Sequence, residues 1–329
     1  MAHSESFTVY QRNNWSYFYQ AIQAGCLGAK IYVKLLLFSI QKRTERYVVC
    51  RPQGGLNDML VQIANCFHYS YKYKRCLVID TRKSGFLDDF NNYFQPLILF
   101  KNLLLSEPES LKHNSKFMSC LPKSLFGRGL DYESKFNPET NYVDVDTGER
   151  LMFSFDQDHQ EDLLVYEQCG GGDNSIFAFH FLRFNEKVKK EINRRLSILP
   201  SLYIAIHIRN TDVKTDFVEL FKAVKKYVDK ENLLICTDSM EVLLYAKSYL
   251  RDTRIFSLAN LPDSKGKSLH HNPEITDWNI NVGALTDLIA MSLSQKLILP
   301  TKHIGYPSGF ANLGRLLFER QYLVKQLLN

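Results

Sequence analysis

The stretch that decides the fold is residues 202–212, LYIAIHIRNTD. Its apolar run at 202–208 predicts a buried strand, and His207, Arg209 and Asp212 fall where the strand gives way to a loop. Open α/β sheets bind their ligands at the carboxyl ends of the strands, and an arginine there offers a fork of donors that matches a phosphate. The stretch therefore predicts an anion site, with a surface loop in which Arg209 pairs with Asp212 as the alternative.

The residues on either side alternate between strand and helix patterns. A helix with apolar positions every fourth residue, from Phe184 to Leu196, precedes the stretch and ends before Pro200. Asp216 and Glu219 form a capping box for the next helix, which runs through Val228. Further strands are predicted at 233–236, 255–258 and 296–299, and further helices after Ser239 and at 281–294 and 309–317. This alternation predicts a doubly wound domain.

The first half of the chain opens with the same kind of unit. Residues 46–51 (RYVVCR) and 76–80 (CLVID) predict strands, and between them the tight loop PQGGLND leads to a helix that starts at Met59. Residues 81–180 show few clean periods. Within them the glycines at 170–172 are expected to form a flexible loop and not a phosphate loop, since no clear strand precedes them.

Composition limits the function classes. The chain has 329 residues and a net charge of +6, which suits anionic substrates or an anionic surface and is too weak to indicate nucleic-acid binding. Its seven scattered cysteines contain no C-x-x-C pair, which predicts a reduced, cytoplasmic protein without a structural zinc. No signal peptide and no apolar run long enough to span a membrane is recognisable.

The N-terminal segment 1–45 is basic and is expected to be helical. Its part at 15–40 mixes aromatic, aliphatic and lysine residues, so it could lie on anionic lipid at the cytoplasmic face of a membrane. A helix packed on the protein's own core is the preferred alternative. The first Rossmann-like domain is predicted at 46–195 and the second at 196–329.

Four short patterns, taken in order, resemble one family. They are GGLND with Gly54, Gly55, Asn57 and Asp58; HIRNTD with His207 and Arg209; ICTDS with Asp238; and the region 285–316, which contains Asp287 and the SGF of Ser308, Gly309 and Phe310. The chain resembles the superfamily of α-1,2-, α-1,6- and protein O-fucosyltransferases, with the bacterial members nearest. Two departures are the shorter glycine loop and Asn210 where many relatives have a second arginine.

The resemblance implies an α/β fold of the GT-B type, two Rossmann-like domains facing a cleft, with acceptor on the first domain and GDP-sugar on the second. It implies that Arg209 holds the pyrophosphate, that Asp287 accepts from the guanine edge, and that Ser308 and Gly309 donate to phosphate beside Phe310. The glycine loop, His207 and Asp238 complete the expected donor site. Asp238 could bond a ribose or a neighbouring loop, and a structural N-cap is an equal alternative. No cofactor beyond the GDP-sugar substrate and no metal is implied.

These expectations converge on an inverting fucosyltransferase of polysaccharide biosynthesis that glycosylates a sugar hydroxyl of a cell-surface glycan precursor. Asp58 is the predicted catalytic base, because it is the carboxylate of the first domain's glycine loop. A helix cap is the alternative for Asp58. Another nucleotide-sugar donor, and a non-catalytic nucleotide- or glycan-binding scaffold, remain open. A metal cluster of His270, His271, Glu274 and Asp277, and one at Asp144 to Asp146, are disfavoured by their spacing and setting.

Overall fold

The computed structural model describes residues 2–3, 7–11, 33, 37, 44–98, 100–212, 214–262, 272–301 and 308–329. The chain forms two compact units. The upstream unit ends at Asn185, and the downstream unit runs from Glu186 to Asn329 and includes an N-terminal strand. Because the helix that begins at Glu186 packs on a later helix of the downstream unit, the division falls ten residues before the predicted boundary at 195/196.

The N-terminal part of the described chain is extended. Two strands, β1 (Ala2–His3) and β2 (Phe7–Gln11), pair with each other antiparallel, and β2 adds to the edge of the downstream sheet. Phe7 and Val9 are buried in that unit's core, so this portion of 1–45 is a strand and the expectation of a helix is wrong here. The amphipathic stretch at 15–40 lies outside the described residues apart from 33 and 37.

The upstream unit is built on a parallel five-stranded sheet. The strands of the whole unit are β3 (Tyr47–Cys50), β4 (Cys76–Ile79), β5 (Phe94–Pro96), β6 (Leu103–Leu104), β7 (Cys120–Leu121), β8 (Ser134–Asn137), β9 (Asn141–Asp144), β10 (Leu163–Tyr166) and β11 (Leu182–Phe184). The sheet order is β6-β4-β3-β10-β7, while β5 pairs with β11 and β8 with β9 as separate ribbons. Helix α1 (Leu56–Lys72) connects β3 to β4, and α2 (Glu109–Asn114) follows β6.

The downstream unit has the alternation that the sequence predicted. Its parallel strands are β12 (Ile204–Ile208), β13 (Asn232–Thr237), β14 (Arg254–Phe256) and β15 (Lys296–Pro300). With the N-terminal strand β2 added at the edge, the order is β2-β15-β12-β13-β14. Its helices are α3 (Glu186–Leu196), α4 (Phe217–Val228), α5 (Met240–Tyr249), α6 (Trp278–Leu293), α7 (Gly309–Glu319) and α8 (Gln321–Leu328), the last of which the sequence did not predict. Asp216 caps α4 through the amide of Glu219 as expected, whereas the Ser239 side chain makes no cap bond.

Strand β12 lies at the centre of this sheet, and all five of its residues are buried. Ile204, Ile206 and Ile208 pack on α4 and α5, and the opposite face meets α6. The chain leaves β12 towards β13 on one side and later returns to β15 on the other. The carboxyl ends of β12 and β15 therefore flank a topological switch point, where doubly wound sheets bind ligands.

The fold class is confirmed: the chain is α/β, with two Rossmann-like units of the GT-B type. No helix in the described part of the chain is long and apolar enough to cross a membrane.

Candidate functional site

The downstream switch point gathers residues from two separate patterns. His207 lies at the end of β12 and is buried, and its ring lies 5.4 Å from that of Phe310, measured between centroids. Phe310 belongs to the first turn of α7, which Ser308 caps by accepting from the amide of Ala311 at 3.3 Å. The sequence places these residues about a hundred positions apart, and the parallel pairing of β12 with β15 brings them together.

Arg209 follows β12 at this edge and is held by Asp212. Its Nε and Nη2 donate to the two carboxylate oxygens at 2.8 and 2.6 Å. Burial works to raise the pKa of Asp212, but hydrogen bonds from Arg209 outweigh it and hold the pKa below the usual value. The pairing predicted as the alternative is thus present. It also shows that Arg209 can present two donors to one anion, the geometry that a phosphate needs.

Asp238, at the end of β13, holds the loop that carries Arg209. It accepts from the amide of Asn210 at 2.7 Å and from the hydroxyl of Thr211 at 2.6 Å. Burial raises its pKa despite these bonds. Of the roles left open for Asp238, the structure shows the bond to the neighbouring loop, while the N-cap of α5 is Ser239. Asn210 therefore contributes its backbone to the site.

Asp287 lies inside the unit, in the middle of α6. Burial raises its pKa to about 8, against the opposing charge of Arg195 and a backbone hydrogen bond from Ala259. Among the described residues its Oδ1 finds no hydrogen-bond partner. A carboxyl in this setting is protonated at neutral pH, and an unpaired buried acceptor costs free energy. The side chain is therefore positioned as a strained, buried group and not as an open surface carboxylate.

The glycine loop PQGGLND lies at the corresponding switch point of the upstream unit, between β3 and β10. Helix α1 begins at Leu56, three residues earlier than predicted, with Gly55 as N-cap. The Asp58 carboxylate reaches back to the amide of Gly55 at 3.2 Å. Gly54 has a φ of +93°, and a Cβ on it would lie 2.7 Å from Asp58 Oδ2, so glycine is required there. The helix start thus already holds a carboxylate, which competes with any phosphate at the same place.

The loop at 170–172 was predicted to have no strand before it, and this is wrong. Strand β10 (LLVY) ends four residues earlier, and a 3₁₀ helix, Asp173–His180, follows. A Cβ on Gly171 would lie 2.7 Å from Asp58 Oδ1 and 3.2 Å from Asn57 Nδ2. Two glycine segments therefore approach Asp58, and the sequence had placed only the first of them at the site.

A buried cluster of charges at the same sheet edge was missed altogether. Arg51, at the end of β3, donates to Asp80 at 3.0 Å and to Glu107 at 3.0 Å, and lies over the Tyr132 ring. Burial would raise the pKa of Asp80, but hydrogen bonds from Arg82 and the charge of Arg51 lower it to about 2, while burial raises that of Glu107. The clue in the sequence was a charged residue at the end of each strand predicted in this half, namely Arg51 and Asp80.

Metal ligation finds no support among the described residues, where no group of three or more histidine, cysteine or acidic side chains is arranged to hold an ion. Asp144 and Asp146 both pair with Arg128, at 2.6 Å each. Asp277 instead caps α6 through the amide of Ile280. His270 and His271 lie outside the described residues.

The comparisons with known proteins give matches to solved structures and not to sequence families. No protein-family model matches the sequence, and no curated protein shows significant similarity. The fucosyltransferase NodZ from Bradyrhizobium matches with a TM-score of 0.54 and 18% identity, over 84% of this chain and 94% of that one. The NodZ α-1,6-fucosyltransferase soaked with GDP-fucose gives the same score and identity over 83% and 93%, and its co-crystal with GDP over 84% and 93%. The chain thus shares the fold of these fucosyltransferases, in agreement with the resemblance of its four patterns.

Proposed function

We propose that this protein is a glycosyltransferase that uses GDP-fucose as its donor. The observation that carries the proposal is the convergence of His207, Arg209 and the start of α7 at the switch point of the downstream sheet. A solved structure with the same fold was soaked with GDP-fucose. The pairing of Arg209 with a carboxylate supports an arginine positioned for an anion at this place.

The chemistry assigned to these groups is stabilisation of the leaving diphosphate. When the bond from C1 of the sugar to the GDP oxygen breaks, negative charge grows on the diphosphate and C1 becomes oxocarbenium-like. Arg209 would exchange Asp212 for phosphate oxygens, and the backbone N–H groups at the start of α7 would add donors and the helix dipole. Phe310 and His207 would border the nucleotide.

An acceptor hydroxyl would attack C1 from the face opposite the diphosphate, which inverts that carbon, and would lose its proton to a base. We assign this role to Asp58, whose position between two glycine segments leaves little bulk around the carboxylate. The bond from Gly55 N–H shows that Asp58 also closes the start of α1. One carboxylate can do both, since each oxygen has two lone pairs.

The acceptor in this proposal is a sugar hydroxyl of a cell-surface glycan precursor, and the protein acts in the cytoplasm, with its basic N-terminal segment in peripheral contact with anionic membrane. The net charge of +6 supports attraction to such a surface.

The test is a nucleotide screen by thermal shift, followed by a transfer assay with GDP-fucose in EDTA. GDP should raise the melting temperature by mass action, UDP and CMP should not, and transfer should persist in EDTA. Stabilisation by UDP alone would move the assignment to another donor. Stabilisation by GDP with neither transfer nor hydrolysis would leave a nucleotide-binding scaffold.

A further inference from the structure

The hairpin formed by β8 and β9 carries an aromatic pair, of which Phe136 is exposed. Phe136 and Tyr142 are direct partners across the hairpin, and their ring centroids lie 5.6 Å apart. Phe136 is 55% exposed, whereas Tyr142 is partly buried. Pairing stabilises the hairpin and fixes the position of the Phe136 ring, which stays accessible to a ligand.

The aromatic pair lies on the side of the hairpin that is turned to the carboxyl edge of the upstream sheet. Side chains two residues apart on a strand share a face, so Phe136 lies on the face of Ser134. The Ser134 hydroxyl donates to Glu167, directly after β10. The Gln168 side chain also donates to the Tyr142 carbonyl oxygen at 2.8 Å. The pair therefore borders the switch point between β3 and β10.

The same hairpin is hydrogen-bonded to the start of the glycine loop at 170–172, which lies against Asp58. The Asn141 side chain donates to the Cys169 carbonyl oxygen at 2.8 Å and accepts from the Cys169 amide at 3.0 Å. Gly171, two residues on, approaches Asp58 and Asn57 so closely that no Cβ fits. Hairpin, glycine loop and Asp58 thus form one continuous edge.

Asn57 supplies an independent sign of a ligand at this edge. The residue is only 3% exposed, and its Oδ1 has no hydrogen-bond partner among the described residues. A buried amide oxygen without a donor is unfavourable, and a ligand hydroxyl could offset that cost. The glycine segment over it is the part of the backbone that can shift most cheaply to admit one.

We propose that the Phe136–Tyr142 pair is the platform for the acceptor sugar. The apolar face of a pyranose ring would lie on Phe136, and one of its hydroxyls would donate to Asn57, which directs another hydroxyl to Asp58. Such a mixture of an aromatic surface with a few fixed polar groups is typical of small-molecule sites. The proposal deepens the proposed function and rests on it for the identity of the ligand as an acceptor.

The experiment compares the full-length wild type with three variants. Phe136→Ala removes the platform, Phe136→Tyr keeps the ring, and Phe126→Ala removes a 69% exposed phenylalanine of the same unit as the matched control. Binding of N,N′-diacetylchitobiose, lactose and cellobiose is measured by saturation-transfer NMR. The thermal shift with GDP is measured in parallel on every variant.

At least one disaccharide should bind the wild type, and Phe136→Ala should weaken it at least tenfold, about 1.4 kcal/mol. Phe136→Tyr and Phe126→Ala should bind like the wild type, and GDP should shift all four proteins equally. Unchanged binding by Phe136→Ala, an equal loss in Phe126→Ala, or no disaccharide bound by the wild type would each overturn the platform. Failure of the proposed function has a different signature, namely no GDP shift in the wild type.

Discussion

Asp287→Asn should stabilise the downstream unit, and the gain should grow with pH. Burial raises the pKa of Asp287 from 3.8 to about 8, so the folded state keeps a proton that the unfolded chain has already released. Since the folded state binds the extra proton, its free energy of unfolding falls as pH rises through this window, by about 1.4 kcal/mol per pH unit. Between about pH 5 and about pH 8 the wild type should lose roughly 4 kcal/mol from this group. Asparagine does not titrate and removes the loss.

The measurement is the melting temperature of both proteins across this pH range. At about 2–4 °C per kcal/mol, the advantage of Asp287→Asn should widen by roughly 10 °C from the acidic to the basic end. If the buried asparagine amide costs stability, that cost does not depend on pH. It shifts the whole curve of melting temperature against pH and leaves the slope unchanged. Asp277→Asn is the matched control, since this exposed carboxylate caps the same helix and asparagine caps as well. Parallel curves for Asp287→Asn and wild type would show that Asp287 is ionised in the folded protein, and would refute the reasoning.

Three further predictions follow from the two sheet edges. Arg209→Ala should lower the transfer rate by about a hundredfold or more at unchanged melting temperature. The reason is that one preorganised donor at a developing charge lowers the activation barrier by roughly 2.7–4 kcal/mol. Near-wild-type turnover would remove Arg209 from the site. Asp58→Asn keeps an acceptor for the Gly55 amide and should retain the GDP shift while losing turnover; transfer within about threefold of wild type would leave Asp58 only its cap role. Arg51→Ala leaves the buried Asp80 and Glu107 with Arg82 as their remaining partner, and Arg82 is 38% exposed. The variant should therefore lose about 3 kcal/mol of unfolding free energy in denaturant melts, whereas a loss below about 1 kcal/mol would mean that Arg82 alone neutralises the two carboxylates.

The downstream unit was predictable because its elements follow from local patterns. Residues 202–208 are apolar apart from His207, as is typical of a central parallel strand, and the capping box at Asp216 marks the next helix. Only the strand order, however, brings His207 beside Phe310. That neighbourhood depends on pairing between strands about ninety residues apart, which no local signal encodes.

The upstream unit was much less predictable for the same reason. Several of its strands have two to four residues, too few to show a period, and β10 was overlooked although LLVY stands in the sequence. Because β10 was missed, the glycines at 170–172 were not placed at the sheet edge and their approach to Asp58 was not foreseen.

Composition and order of motifs determined the α/β class, the two-unit organisation and the candidate residues. Tertiary structure alone decided that Asp238 holds the loop of Arg209, that Arg51 meets Asp80 and Glu107, and that Asp287 is enclosed. The physical reason is that burial and pairing set the state of a charged side chain. Both are supplied by elements distant in the chain, so the sequence names the charges and the fold decides their partners and protonation.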